Sequence, residues 1–414
     1  MDKPGILFIS HVFPFPATVG QRQRVYYMLR GASVYFKVTF LTYSSLGQEK
    51  KFAKEMRGVC DEVIWLKSKY KKNKISWLYF KTMGILYSYL TGLKPSNYFV
   101  GKLDFTENKV SEAIGQRRFD LVIYEYFHAW ESISYFKKQN IPVILDTHNI
   151  LWQSYLIQYK SNNLLPNFLK GYYFKKYKNA EEKTWSFFDE IIAINTSEQT
   201  YIKSKVPESK DVPLIYMGID VSAWPYSWQP ATPVRLAFYG GLGSPHNARS
   251  AILCAKEIMP EIWKVFPDIE LWLIGSNPTD DVKSLESDKI HITGFIKDVA
   301  LIINTISIML CPWEGTYGFR SRIIEVMSLG VPVIASRDAV DGMDMEQGKG
   351  IFLTDSSSEM IEQCIRLLMD SSILAEQSKI ASNEVRSKYS FESTYLEGFQ
   401  KIYKQIEQKA GVHQ

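Results

Sequence analysis

The stretch Gly318–Ser336, GFRSRIIEVMSLGVPVIAS, decides how the chain is read. Its apolar residues at 323, 324, 326, 327 and 329 recur with helical spacing, and its charges gather at the helix opening. Gly330 offers a stop, and PVIAS (332–336) reads as a short buried strand. The run ISIMLCP (306–312) before it is also apolar and continuous, as a strand covered on both faces should be. Strand, loop, helix and strand in this order make a βαβ unit, whose two strands lie parallel.

The same alternation runs outward in both directions. ILFISH (6–11), VTFLTY (38–43), EVIWL (62–66), LVIYE (121–125), PVILDTH (142–148) and EIIAIN (190–195) read as strands, with helical segments such as 21–31 and 172–188 between them. The pattern pauses over 212–234, which holds four prolines and reads as a linker. It restarts with RLAFYGG (235–241), IELWLIG (269–275), IHITG (290–294), the two strands of the opening unit, and IFLT (351–354). Helices are expected over 247–259, 297–304, 320–329, 357–369 and 391–408, the last with Ser390 as N-cap. The fold class is thus α/β, with two doubly wound domains facing each other across a cleft. The expected boundaries are 1–215, 216–388, and a C-terminal helix over 389–414 that packs back towards the first domain.

At 414 residues and 46% hydrophobic, the chain can bury two cores. A net charge of +5 is too small to argue for nucleic acid, and none is expected as a partner. The charge is unevenly spread, however. Residues 63–103 hold eight lysines and 147–180 hold five, and neither stretch contains Asp or Glu. Together they carry +13, so the remaining chain sums to −8. Both are rich in Trp, Tyr and Phe, the composition of a segment lying on an anionic membrane surface, here 63–103 and 156–178. The plainer reading is a solvated basic face above an aromatic core. No apolar run reaches about 18 residues, so no bilayer span is expected. Four scattered cysteines without C-x-x-C spacing argue against zinc, and fit a reducing cytoplasm. No signal peptide is seen, and the expected location is cytoplasmic, peripheral on the inner membrane face.

Arg320 and Arg322 pose the chemical question. A helix start has unpaired N–H groups and a positive dipole end, so two arginines there oppose the dipole unless an anion joins them. A diphosphate would reverse that cost and take bidentate contacts. Glu325, three residues on from Arg322, could accept hydrogen bonds from ribose hydroxyls. Its spacing also allows a plain Arg322–Glu325 surface pair.

The segment is similar to the donor site of family 4 glycosyltransferases, which have the GT-B fold, and specifically to a subgroup reading G-x-R-x-K-x-x-E-A-M-A-x-G-x-P-V-V. Gly318, Arg320, Glu325, Met327, Gly330, Pro332 and Val333 match, with Arg322 in place of the lysine. FYGGLGSPHNARSAILCAKEIMPEI (238–262) resembles the first strand, loop and helix of the donor domain, with ELWLIG and ITGFIKDV following in order. FPFPATVGQRQR (13–24) is similar to the family's P-x-x-x-G-x-x-x-R loop, and LDTHNILWQSY (145–155) to a segment after its fifth strand.

The resemblance implies a retaining, metal-independent glycosyltransferase. It would move a hexosyl group from a nucleotide sugar, of UDP or GDP type, to a glycan or lipid-linked acceptor. No cofactor or metal is implied, the nucleotide sugar being substrate. Arg320 and Arg322 would stabilise the leaving diphosphate, and His148 and His128 are candidates to take the acceptor proton or bond the sugar. Gly20, Gly240, Gly241, His246, Asn247, Gly294, Phe295, Gly318, Phe319 and Glu325 would line the donor, and Arg24, Glu125 and Asn149 the acceptor side. His11 is read as a loop residue. Two departures stand out. Tyr317 occupies the place of the first acid of the E-x(7)-E motif, and the loop GGLGSPHN lacks the family's lysine. TDD (279–281) is read as a turn, not a metal triad. Two other classes share the fold: a nucleotide-sugar 2-epimerase, and a non-catalytic partner that binds sugar nucleotides.

Overall fold

The computed structural model describes residues 3–43, 51–66, 74–91, 93–94, 97–161, 167–315 and 318–411. Tyr317 lies outside the described residues, as do parts of the two basic stretches. The chain divides into two compact units, Met1–Tyr216 with Tyr395–Gln414, and Met217–Thr394.

The first unit is built on a six-stranded parallel sheet of β1 (Gly5–Ser10), β2 (Lys37–Tyr43), β3 (Glu62–Leu66), β4 (Leu121–Glu125), β5 (Val143–Asp146) and β6 (Glu190–Ile192), in the order β3-β2-β1-β4-β5-β6. Helices cover both faces, which is why the strands read as unbroken apolar runs. In β1, Ile6, Leu7, Phe8 and Ile9 have no exposed surface. The helix Gly20–Tyr35 follows β1 and packs against the C-terminal helix Glu397–Gly411. Gly31 makes that approach possible: a Cβ there would meet Tyr395 at 3.0 Å and Phe399 at 3.1 Å. Tyr395, Phe399 and Ile402 share one face of the terminal segment and are buried.

The second unit repeats the plan with β7 (Arg235–Tyr239), β8 (Glu270–Ile274), β9 (Ile290–Ile292), β10 (Ile308–Cys311), β11 (Val333–Ser336) and β12 (Ile351–Thr354), ordered β12-β11-β10-β7-β8-β9. Counted from its own first strand, this is the same order as in the first unit, and every pairing is parallel. All twelve expected strands are present. The proline-rich stretch is laid along this unit rather than left loose. Ser227, Gln229 and Ala231 donate backbone N–H bonds to Leu329, Asn304 and Thr305, and Trp228 donates Nε1–H to Ile306 at 2.8 Å.

One long helix, Ser371–Lys388, was not expected. It packs on the helix Ser321–Ser328, with Ser382 Oγ donating to the Ser328 carbonyl at 2.9 Å. The expected turn at 279–281 is instead the start of a short helix, Asp280–Lys283, where Thr279 accepts from Val282 N and Asp280 pairs with Lys283 in solvent. The four cysteines are buried thiols. Among the described residues no helix is long and apolar enough to cross a membrane.

Candidate active site

In the second unit the candidate residues collect at the carboxyl ends of β7 and β10, the adjacent strands where the sheet order reverses and where ligands of such sheets bind. Loop tightness sets the geometry. Asn247 donates from Nδ2 to the Gly241 carbonyl at 3.0 Å and accepts at Oδ1 from Trp313 Nε1 at 2.9 Å. This fastens the loop after β7 to the one after β10. Gly240 sits so close to Asn247 that a Cβ would lie 3.0 Å from its side chain. At Gly275, where φ is +157°, a Cβ would fall 1.7 Å from the Gly240 carbonyl oxygen, so only glycine fits. His246 opens the helix Pro245–Leu253 and its Nδ1 accepts from Arg249 at 3.0 Å. Burial, then Arg249 and Arg320, hold its imidazole below the usual range.

Arg320 is the N-cap of the helix Ser321–Ser328, and its side chain makes no capping hydrogen bond. Its guanidinium donates to the Gly315 carbonyl at 2.8 Å and lies 5.0 Å from the Trp313 ring centre. Arg322 donates to Tyr239 Oη at 2.6 Å and to Glu325 Oε2 at 2.7 Å. The Arg322–Glu325 pair is therefore made, but it is not an ordinary surface pair. Glu325 is 1% exposed, while the Arg322 side chain is 37% exposed. Burial pushes the Glu325 carboxyl up from its ordinary value, and Arg322 offsets only part of that. The acid thus holds one edge of a half-exposed guanidinium and leaves the rest of it open. Gly318 is in the left-handed region (φ +66°), and Phe319 packs on Tyr389. Gly294 and Phe295 follow β9, with Phe295 largely exposed.

In the first unit, Glu125 ends β4 and Asp146 ends β5, directly paired in register. Arg24, one turn into its helix, is buried and fully engaged. It donates from Nε and Nη2 to the two oxygens of Asp146 at 2.9 and 2.8 Å, and from Nη1 to the carbonyls of Ile215 and Tyr216. Such an arginine positions Asp146. His148 Nε2 shares a hydrogen bond with Glu125 Oε2 and lies 3.5 Å from Asp146 Oδ2. Burial pushes the Glu125 carboxyl up to about 7, against the pull of His148. Burial also pushes Asp146 up, but Arg24 and then His148 outweigh it and hold that carboxyl below its ordinary value.

His148 has φ +55° and Tyr126 has φ +67°, and their rings stack 4.2 Å apart. Two bulky residues in a sparsely allowed region cost about 1–3 kcal/mol each, and such outliers cluster at functional sites. Asn149 donates to Ser154 Oγ at 2.9 Å. His128 stacks on Phe127 and stands edge-on to His11. Gly20 is the exposed first residue of the helix Gly20–Tyr35.

Three supporting acids escaped the sequence reading. Asp146 sat within the quoted LDTHNI, and its register partner Glu125 was the available signal. Glu198 accepts from Ile150 N at 3.1 Å, and Glu181 accepts from Leu151 N and Trp152 N at 2.9 and 2.8 Å. Together they hold the backbone just after His148. Among the described residues, Glu125, Asp146 and His148 alone bring ligand atoms close enough for a metal ion. Arg24 donates to both Asp146 oxygens and Glu125 shares a hydrogen bond with His148 Nε2, while Glu125 Oε1 and His148 Nδ1 are buried without a hydrogen-bond partner.

The two basic stretches meet on this unit. Lys176 of the helix Asn167–Thr184 donates to the Leu90 carbonyl of the helix Lys74–Thr91 at 2.8 Å, and Tyr89 and Tyr173 are in ring contact. Leu78, Tyr79, Ile85, Leu86, Tyr89, Leu90 and Tyr172 are exposed there.

Two doubly wound parallel sheets of identical order are the framework of the GT-B fold. Residues 233–370 match the family model described as Glycosyl transferases group 1, so this domain is similar to that family. Solved structures agree over the whole chain. Sucrose-phosphate synthase from Thermosynechococcus elongatus has a TM-score of 0.69 at 16% identity, covering 98% of this chain and 100% of its own. A glycosyltransferase from Rickettsia africae gives 0.65 at 17%, covering 98% and 99%. HepE from Anabaena, solved with UDP and glucose, gives 0.62 at 15%, covering 98% and 100%. At these identities the likeness is one of fold. A sequence search of curated proteins gives no match.

Proposed function

We propose that this protein is a glycosyltransferase that transfers a hexosyl group, with retention, from a nucleotide sugar to a glycan or lipid-linked acceptor at the cytoplasmic face of a membrane. The observation that carries the donor half is the helix opening at Arg320. Two guanidiniums and a helix N-terminus stand beyond the carboxyl end of β10, beside a buried Glu325. That is a cradle for a diphosphate, and Glu325 is placed to accept from a ribose. As the glycosidic bond breaks, charge grows on the diphosphate, and fixed cations there stabilise the transition state more than the ground state. The structure of HepE with UDP-glucose supports a donor of this chemistry for the fold. His148, held by Glu125, is the residue proposed to bond the transferred sugar or its acceptor.

The test is calorimetric titration of the full chain with UDP, GDP and ADP, followed by incubation with the matching nucleotide sugars. The expected result is selective binding of one diphosphate and slow hydrolysis of its sugar to the same anomer. Formation of a 2-epimer would make the chain an isomerase, and binding without turnover would make it a non-catalytic partner.

The membrane half rests on the lysine-rich face beside the exposed Leu86, Tyr89 and Leu90, where charge and apolar surface coincide. The protein is expected to float with vesicles containing phosphatidylglycerol and not with pure phosphatidylcholine, and to be released by salt. Replacing Leu86 and Leu90 together by serine should weaken this binding more than about tenfold, since each buried leucine contributes roughly 1.5–3 kcal/mol. Equal flotation of the variant and parent would remove the membrane from the proposal.

A further inference from the structure

One residue of the first unit stands in a conformation that side chains avoid. We propose that Tyr126 is a positioning residue for sugar transfer: its ring clamps a face of the His148 imidazole, so that Nε2 stays on Glu125 and Nδ1 is left open to a hydroxyl of the transferred sugar or its acceptor. The proposal rests on the transferase reading above and extends it from His148 to the residue that sets it. Tyr126 directly follows β4, and its φ of +67° and ψ of 154° lie in a region that essentially only glycine occupies. Its backbone N–H donates to the Asp146 carbonyl at 2.9 Å, which fixes the strand end where Glu125 and Asp146 pair. Its side chain is buried, and its ring lies on that of His148, 4.2 Å away at an interplanar angle of 26°.

Two neighbours in sequence thus hold one imidazole from two directions. Glu125 shares a hydrogen bond with Nε2, and Tyr126 covers a face. Nδ1 is buried without a hydrogen-bond partner. Such an atom is rare in a folded protein, and at the carboxyl end of a central strand it marks a place for a ligand group. The role of one ring nitrogen follows from the bond that the other makes. With Nε2 committed to a carboxyl group, Nδ1 is the nitrogen left for a hydroxyl. The Tyr126 ring is itself boxed in, 5.5 Å from the ring of His11 and 5.7 Å from that of His128. Packing from several sides is what a strained backbone needs in order to persist. A tyrosine that only filled the core would be served by apolar neighbours, whereas this ring meets three imidazoles. Glycine would free the backbone of strain and give His148 no face to rest on.

The test compares Tyr126→Phe, Tyr126→Met and Tyr126→Gly in the full chain by donor hydrolysis, urea midpoint and proton NMR of the imidazole N–H shared with Glu125. In the Met and Gly variants kcat is expected to fall about tenfold or more, with donor KM and UDP affinity unchanged. Tyr126→Phe, which keeps a ring to stack, should restore most of the rate. Methionine fills the space but keeps the strained backbone, and glycine does the reverse, so their midpoints should differ while their rate losses agree. The N–H signal, assigned by its absence in His148→Gln, should exchange slowly in the parent and in Tyr126→Phe and vanish in the other two. A kcat that follows the urea midpoint across the variants, with the signal intact, makes Tyr126 a packing residue and overturns the proposal. An unprotected His148 N–H in the parent overturns it without any variant. Absence of binding to UDP, GDP and ADP in the parent sinks the transferase reading and this proposal together. Intact nucleotide binding with parental kcat in Tyr126→Met sinks the proposal alone.

Discussion

An Arg320→Ala variant is expected to lose donor turnover by about 10²–10³-fold while keeping its fold. The guanidinium donates to the Gly315 carbonyl and lies on the Trp313 ring, at a partly exposed loop end. Neither of these contacts is to a buried carboxylate, so the stability loss should be small. What is removed is a fixed cation where the leaving diphosphate gains charge, a contribution of about 2.7–4 kcal/mol to the barrier at comparable sites. Arg322→Ala should behave differently. It takes away the second cation and also leaves Glu325, 1% exposed, without its charge partner. Such stranding costs about 3–5 kcal/mol. The pair of variants therefore separates catalysis from folding. Arg320→Ala should show parental urea midpoints with lost hydrolysis, and Arg322→Ala should lose both. UDP affinity and donor hydrolysis unchanged in Arg320→Ala would remove the diphosphate from this helix opening.

The legible and illegible parts of the molecule differ in kind. Strands buried on both faces must be continuous apolar runs, so β1 to β12 could be placed from composition alone. The helix Ser371–Lys388 could not. Its inward face is Leu374, Ser378, Ala381, Ser382 and Val385. Small residues let it approach its neighbours closely, and Gly350 sits where a Cβ would lie 2.4 Å from that of Ala381. Close packing of small side chains leaves almost no hydrophobic period to read. The site divides in the same way. The spacing of Arg322 and Glu325 made their pairing legible, but not that Glu325 is buried, because burial depends on Tyr239 some eighty positions away. Arg24 and Asp146 are 122 residues apart, and no local pattern joins them. Histidines at strand ends could be counted as candidates. Only the packing shows that His148 is held in a left-handed conformation by stacking on Tyr126.

Arg24→Met is expected to be the most destabilising single change in the first unit, by about 3–5 kcal/mol. Methionine fills much of the same volume, so the loss is electrostatic rather than a cavity. Asp146 would keep no donor on either oxygen from this side, and the Ile215 and Tyr216 carbonyls would lose theirs. The pH dependence fixes the cause. In the parent, the Asp146 carboxyl is held below its unfolded value, so the stability it contributes is present above that value, about 3.9, and is lost only as pH falls through the lower folded one. In the variant, burial acts without Arg24 and lifts the carboxyl above its unfolded value. The folded state then binds more protons than the unfolded one, and stability falls as pH rises through the acid range. Urea midpoints from pH 4 to 8 should therefore fall away from the parent curve towards neutrality. Asp146→Leu added to Arg24→Met should recover much of the loss, because it removes the stranded charge. His148 supplies the functional readout, since its ring is held through Glu125 beside that same carboxylate. A double variant that regains stability but not turnover would make the Arg24–Asp146 pair a device for positioning His148. Full recovery of both would reduce it to a strut of the fold.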